Sequence, residues 1–187
     1  REGLSFKNVF IFNVNEFFPV RTKQHSNGKI LREYLINKVD LPEGHFFTPD
    51  ESITRDNVFE FCQNYEAKIE ELGGLDYVIA SIGMVGNLAY NEPGSQTGST
   101  TRLMRLDAQS RSDLQQFYLS AADVPESAIT IGIATFLAAR KVVLQVWGET
   151  KSNVLKDIIE GKVDDKVPAS YLQLHKNAYA VVDLTAA

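Results

Sequence analysis

The stretch VIASIGMVGNLAYNEPGSQTGSTTRLMRL, from Val78 to Leu106, limits what this chain can fold into more than any other. It opens as an apolar run and breaks at Gly83 and Gly86. It then passes through Asn91-Glu92-Pro93-Gly94-Ser95 and ends with Arg102 and Arg105. A buried strand that empties into a glycine-broken polar loop is how open α/β sheets build ligand sites, at the carboxyl ends of their strands. Upstream, Val9 to Val14 reads as a buried strand, β-branched and aromatic, ending in polar Asn15-Glu16 and stopped by Pro19. Lys29 to Lys38 predicts a short amphipathic helix with Ile30, Leu31, Tyr34 and Leu35 inward. Thr54 or Asp56 can cap the next helix. Its inward stripe is Val58, Phe59, Phe61, Cys62, Tyr65, Ile69 and Leu72, and Gly73-Gly74 ends it. Further strands are expected at Tyr77–Ile82, Ile129–Ile133, Lys141–Trp147 and Tyr179–Val182. Helices are expected at Ser112–Leu119 and Thr135–Arg140, then between Gly148 and Gly161 with Val154, Leu155, Ile158 and Ile159 inward, and for a turn or two over Pro168–His175. This alternation predicts a three-layer α/β/α fold around a mostly parallel, Rossmann-like sheet, with residues 1–187 as a single domain.

Composition narrows the function classes. At 187 residues, with 44% apolar and 23% charged side chains, the chain has the make-up of a soluble globular domain with a sizeable core. A net charge of -5 gives no reason to expect nucleic acid or an anionic membrane as partner. Cys62 is the only cysteine, which excludes an intrachain disulfide and makes a cytoplasmic compartment the expectation. On an apolar helix face it reads as core packing. No signal peptide or bilayer-length apolar run is present in the sequence. The chain opens Arg1-Glu2-Gly3 without a methionine, which suggests a piece of a longer polypeptide. His25 and His45 lack partners at metal-ligand spacing and read as surface or structural histidines. Neither a metal nor a cofactor is expected.

Pattern alone places a site at three strand ends, after Val14, Ile82 and Trp147. Gly83 and Gly86 allow close backbone approach to a ligand. Lys151 falls in the first turn of a helix, where free backbone N–H groups attract anions. The spacings of a Walker loop, a dinucleotide fingerprint and a serine elbow are all absent.

The ordered motifs resemble the glucosamine-6-phosphate deaminase/isomerase family, whose superfamily also holds 6-phosphogluconolactonase. Phe12-Asn13-Val14-Asn15-Glu16-Phe17 is similar to the family's Phe-Asn-Met-Asp-Glu-Tyr. The segment from Gly83 to Ser95 is similar to Gly-x-Asp-Gly-His-Ile-Ala-Phe-Asn-Glu-Pro-x-Ser. Val124-Pro125, Ala128–Gly132, Gly148 with Lys151, and Ser170–His175 follow in family order. Asn-Glu-Pro-Gly-Ser favours the deaminase branch over the lactonases.

The resemblance implies a sugar-phosphate ligand, proton transfer between C1 and C2 by an aspartate, and ring opening assisted by a histidine. Carried over position by position, the base falls on Asn15, the motif's aspartate on Val85 and the ring-opening histidine on Asn87. Glu92 retains the family's glutamate and Lys151 a phosphate-binding lysine, while a phosphate-binding arginine falls on Gln116. Gly83 and Asn91 keep their substrate-site places. Ser95 and Arg102 match effector-site positions, although the neighbouring lysine falls on Met104. The family's N-terminal phosphate loop, Gly-x-x-x-Gly-Ser/Thr, is not in the sequence, so the expected fold lacks that N-terminal unit.

An asparagine amide cannot take or shuttle a proton at neutral pH. Losing a positioned acid or base typically costs ~10²–10⁴-fold in rate. The expectation is a deaminase-like domain of amino-sugar metabolism that is catalytically impaired or inactive. One alternative is an active isomerase or deaminase using Glu16, Glu92 or His25 as substitute groups. The other is a sensor in which Arg102, Arg105 and Lys151 bind a sugar phosphate without turnover, or an oligomerising module; the resemblance allows a homo-oligomer.

Overall fold

The computed structural model describes residues 3–21 and 25–187. Arg1 and Glu2, which open the sequence, lie outside the described residues. In chain order the elements are β1 (Ile11–Phe12), β2 (Asn15–Phe18), α1 (Asn27–Tyr34), β3 (Phe46–Phe47), α2 (Val58–Glu71), β4 (Val78–Ser81), β5 (Arg102–Arg105) and α3 (Ala108–Leu114). They continue with β6 (Ser127–Thr130), α4 (Ile133–Ala138), β7 (Val142–Val146), α5 (Ser152–Glu160), a 3₁₀ segment Pro168–Leu174, and β8 (Ala178–Val182). The architecture is three-layer α/β with parallel sheets, as the alternation predicts.

The sheets are more mixed than expected. β4, β7 and β8 form a parallel sheet in that order, and β1 pairs with β3 in parallel. β2, β6 and β5 form an antiparallel sheet. The predicted strand Val9–Val14 is therefore shorter, and the polar cluster read as its solvated end is a second strand. Asn15 to Phe18 pairs residue for residue with Thr130 to Ser127. Pairing with a partner more than a hundred positions away overrides the low strand propensity of Asn and Glu.

The core lies on one face of the parallel sheet. Val78, Ala80, Val142, Leu144 and Val146 meet Phe136 of α4, Leu155 and Ile158 of α5, and Tyr65 and Ile69 of α2. Full burial of each valine, leucine, isoleucine or phenylalanine among them contributes roughly 1.5–3 kcal/mol. A second cluster packs Val58 and Cys62 of α2 against Phe18 of β2 and Ile129 of β6. One helix thus serves both sheets, its first half against the antiparallel one and its second half against the parallel one. Glu66 of α2 reinforces this join: a single carboxylate oxygen accepts from the Thr101 N–H at 2.6 Å, the Thr101 hydroxyl at 2.5 Å and the Thr135 hydroxyl at 2.7 Å. Burial, helped by Glu66, pushes the Cys62 thiol up to about 11, in keeping with a packing role.

Several stripe members face solvent instead of the core. Phe59 is 73% exposed, Tyr34 71% and Ile159 54%, and Ile30 is also exposed. Each sits at the margin of its helix's apolar arc, and an apolar identity alone does not place a side chain inside.

Candidate functional site

After β4 the chain turns tightly back on itself. Gly86 N–H donates to Gly83 O at 3.1 Å, and Leu88 bridges both Ile82 and Asn91. Asn87 is enclosed by this turn. Its Nδ2 donates to Ala89 O at 2.8 Å, while its Oδ1 is buried without a partner. Gly83 is needed here because any Cβ would overlap the Asn87 amide. Ala89 sits at φ 52, in the left-handed region that a side chain disfavours.

The Asn-Glu-Pro-Gly-Ser segment is held from several sides. Asn91 is wholly buried and donates to Leu88 O at 2.9 Å and Ile131 O at 2.8 Å. Arg102 reaches from β5 to donate to Asn91 Oδ1 at 2.8 Å, Ser95 Oγ at 2.9 Å and Thr100 O at 3.2 Å. The Ser95 hydroxyl in turn donates to Glu92 O at 2.7 Å. Arg102 therefore braces the loop, and burial lowers its pKa. Arg105, three positions along the same strand, is exposed. Glu92 is 4% exposed and reaches α3, where the Ser110 hydroxyl donates to its Oε2 at 3.1 Å. Its Oε1 is buried without a partner. Burial raises the pKa of Glu92; hydrogen bonds from Ser110 and the Asp107 backbone oppose the rise, and the Asp107 and Asp113 carboxylates add to it.

At the neighbouring strand end, Asn15 and Glu16 point opposite ways, as successive strand residues must. Glu16 is buried under the start of α1. Its carboxylate accepts from Ser26 Oγ at 2.9 Å and from the N–H groups of Asn27 at 3.1 Å, Gly28 at 2.7 Å and Phe17 at 2.9 Å. A negative group on free helix N–H donors is favourable both as a cap and against the helix dipole. Gly28 permits the approach, because a Cβ there would lie 2.6 Å from Thr48 Oγ1. Asn15 turns instead to a small cleft, and its Oδ1 accepts from Asn27 Nδ2 at 2.5 Å.

Lys151 stands at the N-terminal boundary of α5 and sends Nζ to Ile82 O at 2.7 Å, which brings it beside Gly83. Burial lowers its pKa, with Asp113 opposing. Val85 is half-buried in the turn. Gln116 is exposed and bonds Asp113 O at 2.9 Å. His25 packs edge-on against Tyr118 at 5.1 Å and near Phe117 at 6.1 Å, on a separate cleft beside α1. Among the described residues no group of His, Cys, Asp and Glu could hold a metal ion, and no helix is long and apolar enough to cross a membrane. Ser110, which bonds Glu92, and Asn27, which bonds Asn15, carry no sequence signal that marks them as partners of these residues.

A layered α/β fold with a polar loop at its strand ends and half-buried cations beside it defines an α/β ligand-site domain. The model describing glucosamine-6-phosphate isomerases and 6-phosphogluconolactonase matches residues 1–181, and the chain belongs to that family. It is 46% identical over 186 residues to a glucosamine-6-phosphate deaminase-like protein of Bacteroides thetaiotaomicron, covering 99% of this chain but only 28% of that protein. It is 33% identical to the glucosamine-6-phosphate deaminase of Oceanobacillus iheyensis, covering 98% of this chain and 73% of the relative. A solved monomeric glucosamine-6-phosphate deaminase superimposes with a TM-score of 0.93 at 28% identity, over 99% of this chain and 76% of that one. The 6-phosphogluconolactonase of Trypanosoma brucei shares the fold, with a TM-score of 0.73 at 20% identity over 94% of this chain and 72% of that one.

Proposed function

We propose that this chain is a deaminase-like sugar-phosphate domain of amino-sugar metabolism that has lost its proton-transfer chemistry. The observation that carries the reading is the enclosure of Asn87. At the position that resemblance gives to the ring-opening histidine stands an amide, 3% exposed and bonded to its own turn. Asn15, at the base position, has its oxygen engaged by Asn27, and Val85 has nothing to donate or accept. Glu92 is retained, but its hydrogen bonds run to α3. The substitute groups fare no better. Glu16 is spent on capping α1, and His25 lies against Tyr118.

A sensor without turnover is the second reading, supported by the cations. Lys151 and Arg102 are half-buried, and among the described residues neither has a carboxylate within 4.0 Å. Both already donate to neutral oxygens, and an anion would make stronger, charge-assisted bonds. Ammonia release from glucosamine-6-phosphate tests the main reading: the purified chain is expected to show none above background. Release that disappears in Glu92→Gln would overturn it. The triple variant Asn15→Asp, Val85→Asp, Asn87→His is expected to recover turnover if those positions are the defect. Calorimetric titration with glucosamine-6-phosphate decides the second reading, and silence at millimolar ligand sinks the sensor.

A further inference from the structure

A cleft of about 510 Å³ beside α1 shares no lining residue with the loop after β4 or with Lys151. Its volume falls within the roughly 300–1,000 Å³ of small-molecule sites. One wall is a single face of α1: Lys29, Ile30, Glu33 and Tyr34 recur at helical spacing, so their side chains stand on one side. The other wall is the stretch from Phe117 to Leu119, with Asp123 beyond it. His25, just ahead of the cap Ser26, joins the two walls through its packing on Tyr118 and Phe117. Ile30, Tyr34, Phe117 and Leu119 are all exposed, so the walls do not cover each other's apolar surface.

Three charged groups line the same cleft, and none is spent. Among the described residues Lys29, Glu33 and Asp123 make no ion pair, and their side chains no hydrogen bond. Lys29 and Glu33 stand one helical turn apart, but Lys before Glu is the less favourable order for such a pair. The Ser26 hydroxyl, by contrast, is used up: it donates to Glu16 Oε2 and accepts from the Lys29 N–H. The ligand that matches this cleft carries both signs of charge. An anion alone would face two carboxylates, and a cation alone would face Lys29. A neutral ring would leave all three charges unmatched. Cβ atoms one turn apart are separated by about 5–6 Å, so Lys29 and Glu33 can together reach two charged groups borne on one α-carbon. The carboxylate of such a ligand pairs with Lys29 and its ammonium with Glu33 or Asp123. Its side chain then lies against Ile30, Phe117 and Leu119. Tyr34 offers less, because the Lys38 ammonium already lies 5.3 Å from its ring centre.

We propose that this cleft binds a free α-amino acid with an apolar side chain, held by Lys29, Glu33 and Asp123. The proposal goes beyond the sugar-phosphate reading, which depends on Lys151 and Arg102, so the two fail independently.

The test titrates the chain with L-phenylalanine, with L-phenylalaninamide, which lacks the carboxylate, and with 3-phenylpropanoate, which lacks the amine. Heat and ligand NMR line width are followed together. Expected is millimolar binding of phenylalanine that weakens as salt is raised. Each truncated ligand should bind about threefold to tenfold more weakly. So should phenylalanine to Lys29→Met, and to the double variant Glu33→Gln with Asp123→Asn. All three positions are exposed, and thermal unfolding of the variants is checked to be unchanged. No binding of phenylalanine at millimolar concentration overturns the proposal. So does binding that ignores both variants, which would place it elsewhere. 3-Phenylpropanoate binding as tightly as phenylalanine reduces the cleft to an anion site, and the amide doing so reduces it to a cation site; either result overturns it too.

Discussion

Among the described residues two glutamates are buried, and they are treated in opposite ways. Glu16 is 1% exposed and accepts from four donors, three of them at or before the first turn of α1. Glu92 is 4% exposed, holds Ser110 and the Asp107 backbone through part of its carboxylate, and leaves Oε1 without a partner. A buried carboxylate is costly unless its oxygens are hydrogen-bonded. Glu16 meets that condition and so fastens a helix to a strand. Glu92 meets it only in part, and under the reading proposed above it is the member of the site that keeps its family identity. The difference separates the frame of the site from its contents.

The largest effect should come from breaking the satisfied corner. Glu16→Ala strands the α1 donors in a buried setting, and about 3 to 5 kcal/mol of stability should be lost, read as a lower urea midpoint. Asn91→Ala comes next. It removes the bonds to Leu88 O and Ile131 O and one anchor of Arg102, for a loss of about 2 kcal/mol. Should Asn91→Ala prove neutral, Arg102 would be a bystander and not the brace of the loop.

Much of this frame was legible in the sequence. The short β-branched runs around Val78 and Val142 announced parallel strands, because strands of a parallel sheet covered on both faces read as continuous apolar sequence. The turn glycines announced the loop. What escaped was whatever depends on distant partners. Asn15–Phe18 is a strand only because Ser127–Thr130 lies beside it, and the local pattern of Asn and Glu argues for a loop. Phe59 was placed inward by identity, whereas Val58, Cys62, Tyr65 and Ile69 define the buried arc. At the site, Glu92 could be read from its motif, but Ser110 could not, since no local pattern marks a serine as the partner of a carboxylate eighteen positions back.

The smallest effect, and the sharpest on the comparison, belongs to Glu92→Gln. The amide keeps the shape of the side chain and an oxygen to accept from Ser110, and removes the charge. Because burial raises the pKa of Glu92 in the folded protein, its protonated form is favoured by folding. Its contribution to stability is therefore fully present below the ordinary carboxylate value of 4.5 and is lost as pH rises through the raised folded value. Above that window the wild type carries a buried charge facing Asp107 and Asp113, and the variant does not. Thermal unfolding should accordingly show Glu92→Gln at least as stable as wild type at pH 8, with the gap closing toward pH 4. The matching change Glu16→Gln should destabilise at pH 8, because two helix N–H donors and a hydroxyl lose a charged acceptor. If both variants instead lose stability to the same extent at pH 8, the two carboxylates are equivalent structural fasteners, and Glu92 is no longer distinguished as the surviving member of a site.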